Sequence, residues 1–243
     1  FLRNSATSGD GGAIYAYVGV TVSDGTFTEN TANTDDGGAI YASTGAVSVS
    51  DSTFAGNTAF DNGGAIRTGD APASITDGVF TGNSAGNGGA IWADGAIDVE
   101  TSLFAGNSST DHAGAVDANN GPLFVRDSTF SDNTAGTDGG AIHVHDDAAS
   151  LTIVGGSFTS NDAMNDGGAI YAEDDLSLLI QDAVFTSNSS GDDGGAIFAE
   201  DNGVVEISGA TFTSNTSDDD GGAIYADDDE AVSYTHLTLP TKA

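Results

Sequence analysis

Two tetrapeptides recur along the 243-residue chain at a nearly constant spacing. The first is Gly-Gly-Ala-Ile or a close variant, which begins at Gly11, Gly37, Gly63, Gly88, Ala113, Gly139, Gly167, Gly194 and Gly221. The second is Phe-x-x-Asn, which begins at Phe1, Phe27, Phe54, Phe80, Phe104, Phe130, Phe158, Phe185 and Phe212. One unit of about 26 residues cannot bury its apolar face alone, so nine units in register predict a stack of repeats.

The spacing of apolar residues within a unit predicts strands. Aliphatic residues lie seven and five positions before most of the Phe residues, as Val20 and Val22 do before Phe27. This period of two places both side chains on one face of a strand, and Gly, Asn, Asp, Ser and Thr fill the segments between. We therefore expect an all-β fold: a right-handed, single-stranded parallel β-helix of about nine coils over residues 1–231.

Stacked coils place equivalent residues above one another, about 4.8 Å apart. We expect the Phe column to fill the interior opposite the Ile column, and the Asn column to bond along the stack at a turn. The predicted ladder comprises Phe27, Asn30, Phe54, Asn57, Phe80, Asn83, Phe104, Asn107, Phe130, Asn133, Phe158, Asn161, Phe185, Asn188, Phe212 and Asn215. The Gly pair suits a turn that needs positive φ or a close approach between coils.

Two other solenoids share parts of this pattern. Leucine-rich repeats have a similar period and an Asn ladder, but they need a Leu-x-x-Leu-x-Leu framework that this chain lacks. The Ca²⁺-binding Gly-Gly-x-Gly-x-Asp solenoid has a period about one third as long. Both patterns fit worse than the parallel β-helix.

The chain carries 37 acidic and 4 basic residues, a formal charge of −33. This charge argues against binding to nucleic acid and to an anionic membrane surface. Carboxylates concentrate at the turn before the Gly pair, as at Asp36 and Asp166, and at the turn after the first strand, as at Glu173 and Glu200. We interpret them as a solvated surface typical of a salt-adapted source, with Ca²⁺ at these acidic turns as the alternative.

The pairing of Gly-Gly-Ala-Ile with Phe-x-x-Asn resembles the repeat signature of the chlamydial polymorphic outer-membrane proteins. That resemblance covers residues 1 to about 231. It implies a right-handed β-helical passenger domain that a C-terminal β-barrel exports and that is displayed on the cell surface as an adhesin. The implied location is extracellular, at the outer membrane or cell envelope.

Both ends of the repeat region are expected to be truncated, so that the segment belongs to a longer polypeptide. Residues 232–243 carry neither motif, and Lys242 is the chain's only lysine. Their sequence resembles one reading frame of a transposon-type sequencing adapter. We therefore expect residues 232–243 to be a non-native tail.

The residue after each Ile is expected to point outward, because neighbouring side chains in a strand alternate. Six of these nine positions are aromatic, and they are the predicted contacts for a glycan or a host or neighbouring cell-surface protein: Tyr15, Tyr41, Trp92, Tyr171, Phe198 and Tyr225. Stabilisation of the sheet by ring stacking is the alternative reading of the same column. Arg67 and Asp117 are expected to interrupt it.

No catalytic or metal-binding residue set is predicted. His112, His143 and His145 do not recur beside paired acids in the repeat, and the divergent fifth unit with His112 and Asp117 suggests no acid–base set. The predicted function is a non-enzymatic surface segment that acts as an adhesin or a structural spacer. A polysaccharide lyase or glycosidase of the pectin-lyase-like fold is the alternative, since such enzymes need carboxylates beside a basic residue or His.

Overall fold

A computed structural model describes residues 1–145, 150–173, 176–200, 203–227 and 231–235 of the chain. The described residues contain strands and turns and no helix, and every strand pairs in parallel with its equivalents in the neighbouring coils. Four sheets result, three of nine strands and one of eight. The predicted all-β parallel β-helix is therefore confirmed, and each full coil contributes four strands.

The Ile sheet is built from the strands that follow the Gly pair. Its first and third side chains point inward and are buried from the second coil to the eighth, as Ile66 and Thr68 are. Its strands are Ile14–Ala16, Ile40–Ala42, Ile66–Thr68, Ile91–Ala93, Val116–Ala118, Ile142–Val144, Ile170–Glu173, Ile197–Glu200 and Ile224–Asp227.

The Val sheet carries the predicted aliphatic pairs, which point inward, as Val47 and Val49 do at 1% exposure. Its strands are Val20–Ser23, Val47–Ser50, Ala73–Thr76, Ile97–Glu100, Leu123–Arg126, Ser150–Val154, Ser177–Gln181, Val204–Ser208 and Val232–Thr235. The last of these strands lies in residues 232–243, whose assignment as a non-native tail remains a prediction. Residues 236–243 lie outside the described residues.

The Phe sheet and the short sheet complete each coil. The Phe sheet comprises Thr26–Thr28, Thr53–Ala55, Val79–Thr81, Leu103–Ala105, Thr129–Ser131, Ser157–Thr159, Val184–Thr186 and Thr211–Thr213. The short sheet follows the Asn column and comprises Ser5–Ala6, Thr31–Ala32, Thr58–Ala59, Ser84–Ala85, Ser108–Ser109, Thr134–Ala135, Asp162–Ala163, Ser189–Ser190 and Thr216–Ser217.

One column of Phe rings runs through the core. Neighbouring rings are stacked with centroids 4.6–4.9 Å apart and planes within 9° of parallel. The rings from Phe27 to Phe185 have no solvent exposure. Because the register of the Phe sheet pairs Phe with Phe between neighbouring coils, the rings form one continuous column along the core.

The Asn column satisfies the backbone at the inner turn. From Asn30 to Asn188, each Asn amide of the column donates to the Oδ1 of the next Asn and to the carbonyl of a Phe in the preceding coil. Asn57, for example, donates to Asn83 at 2.9 Å and to Phe27 at 3.1 Å. The backbone N–H of Asn57 also donates to Asn83 Oδ1, at 3.0 Å. Buried polar groups that are fully bonded in this way hold neighbouring coils in one register.

The two glycines of the Gly pair have different roles. Gly63 has a φ of +67°, the left-handed region that glycine adopts without steric cost. At Gly64 a Cβ would lie 2.1 Å from the carbonyl oxygen of Gly89 in the next coil, so only glycine allows the coils to approach this closely. In the fifth unit, Ala113 adopts the left-handed conformation with a φ of 55°.

Candidate functional site

The residue after each Ile lies on the outer face of the Ile sheet. In-register pairing places these residues above one another, as Tyr15 with Tyr41 and Arg67 with Trp92. We call this column the outer ladder, and its members are Tyr15, Tyr41, Arg67, Trp92, Asp117, His143, Tyr171, Phe198 and Tyr225. It contains all six aromatic residues predicted to bind a ligand.

Aromatic neighbours in the outer ladder stack face to face, with centroids 4.9–5.2 Å apart and planes within 11° of parallel. The stacked pairs are Tyr15–Tyr41, His143–Tyr171, Tyr171–Phe198 and Phe198–Tyr225. Rings inside these stacks present edges to solvent, because their faces are covered by the neighbouring coils. Phe198 is only 5% exposed, so it offers almost no surface to a ligand.

Arg67 continues the ladder. Its guanidinium carbon lies 5.0 Å from the Tyr41 ring centroid and 4.8 Å from that of Trp92, within cation–π range of both. Its Nε lies 3.3 Å from Asp36 Oδ2, and its Nη2 lies 3.2 Å from Asp94 Oδ2. The expectation that Arg67 interrupts the aromatic column is therefore wrong, because a planar guanidinium can stack as a ring does.

At Asp117 the stacking stops and a different cluster begins. Asp117 pairs in register with His143, and His145 lies two residues further along the same face. The Oδ1 of Asp117 lies 2.9 Å from His145 Nε2 and 3.7 Å from His143 Nδ1. Asp117 is fully buried and His143 is 5% exposed, whereas the His145 side chain is 32% exposed. The cluster is thus closed on the protein side and open to solvent beside His145.

His112 covers this cluster from the preceding turn. Its ring centroid lies 4.6 Å from that of His143. Its Nδ1 lies 2.9 Å from Thr137 Oγ1 and 3.2 Å from Asp138 Oδ2. The hydrogen bond and charge of Asp138 raise the pKa of His112 despite its partial burial. This arrangement fixes the ring that packs on His143.

Burial and charge act in opposite directions on the central carboxylate. Burial alone would raise the pKa of Asp117, but the adjoining His143 and His145 imidazoles outweigh it and hold that pKa below its usual range. Burial lowers the pKa of His143. Near neutral pH the cluster therefore combines an ionised carboxylate with a neutral imidazole.

The sequence suggested no acid–base set in the fifth unit, whereas the structure places His143 and His145 beside Asp117. The cluster joins that unit to the sixth, because two consecutive members of the outer ladder are polar, Asp117 and His143. The only sequence signal for this cluster was the pair of polar residues, Asp117 and His143, at adjacent positions of the outer ladder. His145 and His112 could not be placed from it, because they lie beyond the strands.

The carboxylates before the Gly pair form a second outer column. At most coil boundaries, the backbone N–H of the residue just before the Gly pair donates to the side-chain oxygen of its equivalent in the preceding coil. Asn62 donates to Asp36 in this way at 3.0 Å, and Asp193 donates to Asp166 at 2.8 Å. These carboxylates are therefore structural acceptors as well as surface charges. Parts of the other acidic turn, residues 146–147, 174–175, 201 and 228–230, lie outside the described residues.

A shallow groove of about 570 Å³ runs over the short sheet. Its lining is rich in Thr, Ser and Asn, with Asp61 and Asp111 as the charged residues and Phe60 as the aromatic one. Phe60 is 69% exposed, and no other ring stacks on it among the described residues. It is therefore an aromatic face available to a ligand.

The constant core and the variable outer columns define a β-solenoid repeat protein. A family model described as the Chlamydia polymorphic membrane protein (Chlamydia_PMP) repeat matches residues 1–17, 24–43, 51–69, 77–94, 127–145, 155–173, 182–200 and 209–227. These segments make up more than half of the chain, which therefore belongs to this repeat family. The matches leave out residues 95–126, the segment that contains Asp117 and His112.

No curated protein and no solved structure matches the chain. Among the described residues, no helix has the length and apolar character needed to cross a membrane.

Proposed function

We propose that this chain is a non-enzymatic segment of a larger cell-surface protein and acts there as a rigid spacer. The observation that carries the proposal is the repetition of the same contacts at successive coil boundaries. Phe rings stack inside and Asn side chains bond at the inner turn, as between Phe80 and Phe104 and between Asn83 and Asn107. Membership in a family of membrane-protein repeats supports a location at the cell envelope.

A spacer needs a fixed length, and the ladder geometry favours one. Bending would have to open stacked rings and buried hydrogen bonds on one side of the rod, which is costly in an apolar interior. The outer ladder adds to the stiffness on either side of Asp117, because its side chains stack on one another between neighbouring coils there. This favours a role of the outer ladder in stabilising the sheet over a role in binding sugars, which would need uncovered ring faces.

The spacer proposal can be tested with pairs of spin labels. The chain has no cysteine, so introduced cysteines provide unique attachment points. Ser48, Ser74 and Glu206 are exposed members of one register column, with Glu206 six coils from Ser48 and five from Ser74. We expect backbone separations of about 29 Å and about 24 Å with narrow distributions. Broad distributions, or equal distances for the two pairs, would contradict a rigid rod.

Adhesion is the second candidate, and the groove beside Phe60 favours it. The lining offers hydroxyl and amide groups around one exposed ring, which suits a neutral sugar. A polyanionic sugar fits less well, because Asp61 and Asp111 are the charged groups of the lining. The occupant that this surface favours is therefore an uncharged glycan.

A screen against immobilised neutral glycans separates the two candidates. Phe60→Ser removes the exposed ring of the groove, and Tyr41→Ser removes a ring whose face is already covered. Saturable binding by the natural chain that Phe60→Ser abolishes and Tyr41→Ser leaves intact would establish adhesion through the groove. Absence of binding, together with the expected label distances, would leave the spacer as the function.

The enzyme alternative has weaker support. The carboxylate of the cluster of Asp117, His143 and His145 is fully buried, so it cannot contact a polymer substrate. Arg126 pairs with Asp98 and Arg67 lies within the outer ladder, so neither is available to neutralise a substrate carboxylate. A polysaccharide lyase needs such a cation beside its base.

A further inference from the structure

The cluster of Asp117, His143 and His145 differs from the buried Asn column in its hydrogen bonding. In the Asn column, the buried amides and backbone groups at each boundary are hydrogen-bonded. In the cluster, both oxygens of Asp117, Nδ1 of His143 and Nε2 of His145 are buried without a hydrogen-bond partner. These four unpaired atoms belong to three neighbouring side chains whose possible ligand atoms all lie within 4.8 Å of one another.

An unpaired buried carboxylate is costly, and a native fold keeps such a group only with compensation. Asp117 Oδ1 lies 2.9 Å from His145 Nε2, and neither atom has a hydrogen-bond partner. Direct hydrogen bonds between the side chains therefore do not satisfy these four atoms. A cation between them would satisfy the oxygen and both ring nitrogens at once.

We propose that Asp117, His143 and His145 form a binding site for a transition-metal dication, Zn²⁺ in the first instance, that links the fifth and sixth coils. Two imidazole nitrogens and one carboxylate are a donor set of Zn²⁺ and related ions, whereas Ca²⁺ and Mg²⁺ prefer oxygen ligands throughout. The open side next to His145 leaves room for water as a further ligand.

The distances fit a metal centre. Zn–N and Zn–O bonds are about 2.0–2.2 Å long. Ligand atoms 2.9 Å and 3.7 Å apart then subtend angles at the metal of about 90° and about 125°. Both angles occur in four- and five-coordinate zinc.

Residues around the cluster hold the side chains of the proposed metal ligands in position. His112 packs on the His143 ring, and Asp138 and Thr137 hold His112. The backbone N–H of His145 donates to the carbonyl of Ala118 at 3.0 Å, which fixes the start of the His145 side chain. Supporting contacts of this kind tune metal affinity by roughly 10- to 100-fold.

The experiment is a Zn²⁺ titration of the full chain in competition with a chromophoric chelator. Excess Ca²⁺ and molar NaCl are included, because the acidic surface would otherwise collect Zn²⁺ without specificity. We expect one tight site per chain in the natural protein. Asp117→Asn and His145→Gln should each lower the affinity more than the roughly 10- to 100-fold typical of outer-shell changes. His112→Gln should fall within that range, and the control Asp193→Asn should bind as the natural chain does.

Two further readouts keep the proposal testable if a variant folds poorly. Co²⁺ should give a visible absorption spectrum with the natural chain and lose it with His145→Gln, whose side chain is partly exposed. Zn²⁺ should also raise the melting temperature of the natural chain, and a chelator should reverse this. Equal Zn²⁺ affinity for the natural chain, Asp117→Asn and His145→Gln would show adventitious binding to carboxylates and overturn the proposal. So would the absence of saturable binding.

Discussion

The side-chain amide of Asn83 donates to Oδ1 of Asn107 at 2.9 Å, and both side chains are fully buried. The same oxygen accepts the backbone N–H of Asn83 at 3.0 Å. Asn107 in turn donates to the carbonyl of Phe80 and to Oδ1 of Asn133. Each Asn is thus both a link to the next coil and a cap for the backbone of the turn.

Replacing Asn107 by Ala should be severely destabilising. The change takes a bonding partner from three buried groups, at about 1–3 kcal/mol each. The backbone N–H of Asn83 loses its acceptor, the Asn83 amide keeps only its bond to the carbonyl of Phe54, and the carbonyl of Phe80 loses the Asn107 donor. We expect the free energy of unfolding to fall by about 3–6 kcal/mol, measured by urea denaturation. Asn33→Ala is the control, because Asn33 makes exposed bonds to Ser5 and Ala6. Equal denaturation midpoints for the two variants would refute the capping role.

The Phe column gives a second prediction. Phe130 lies between the rings of Phe104 and Phe158, 4.8 Å and 4.9 Å away, and has no solvent exposure. Phe130→Ala opens a cavity in this column of rings, and we expect it to lower the free energy of unfolding by about 3–5 kcal/mol. Phe60→Ala removes the same side chain from an exposed site and should change stability by about 0.5 kcal/mol or less. Denaturation of both variants under one set of conditions provides the comparison.

The Phe and Asn columns could be predicted from sequence because parallel coils repeat the same environment. In-register stacking turns a period of about 26 residues into a column, and the inward direction follows from the alternation around Phe54 or Ile66. The four-stranded coil was harder to predict. The strand after each Asn is only two residues long, as at Thr58–Ala59, which is too short for an apolar period to show.

The outer surface was less predictable, because its contacts depend on side-chain direction and on breaks in the repeat. Arg67 was expected to interrupt an aromatic column and instead stacks between Tyr41 and Trp92. His145 lies beyond the end of its strand, so no register rule places it beside Asp117. Sequence periodicity describes what every coil shares, whereas the cluster of Asp117, His143 and His145 depends on residues that the fifth and sixth coils do not share with the rest.

The position of Arg67 between two rings leads to a third prediction. Arg67→Ala removes the cation that pairs with the half-buried Asp36 and Asp94, and we expect a loss of about 1–3 kcal/mol. Trp92 is the only tryptophan, so its fluorescence should change as the guanidinium leaves its ring. Arg126→Ala is the matched control, because its pair with Asp98 is more exposed and should contribute at most about 1 kcal/mol. An unchanged Trp92 spectrum in Arg67→Ala would contradict the stacking.

The last prediction concerns Asp166 and pH. Burial, and then the charges of Asp138, Asp192 and Asp193, raise the pKa of Asp166 above its usual range. The folded state therefore binds this proton more tightly than the unfolded state does. Ionisation of Asp166 therefore lowers the free energy of unfolding. This loss is fully present once the pH has risen through the folded-state pKa, and it is absent below the unfolded-state pKa of about 3.9.

Asp166→Asn should therefore stabilise the fold near neutral pH. Asn keeps the Oδ1 that accepts the backbone N–H of Asp193, as Asn87 does for His112 at 3.2 Å. We expect a higher melting temperature than the natural chain at neutral pH, and a gain that shrinks as pH falls towards about 4. Asp218→Asn removes one exposed charge and controls for net charge. A gain from Asp166→Asn that is the same at both pH values, or no larger than that of Asp218→Asn, would show that burial of this carboxyl does not oppose folding.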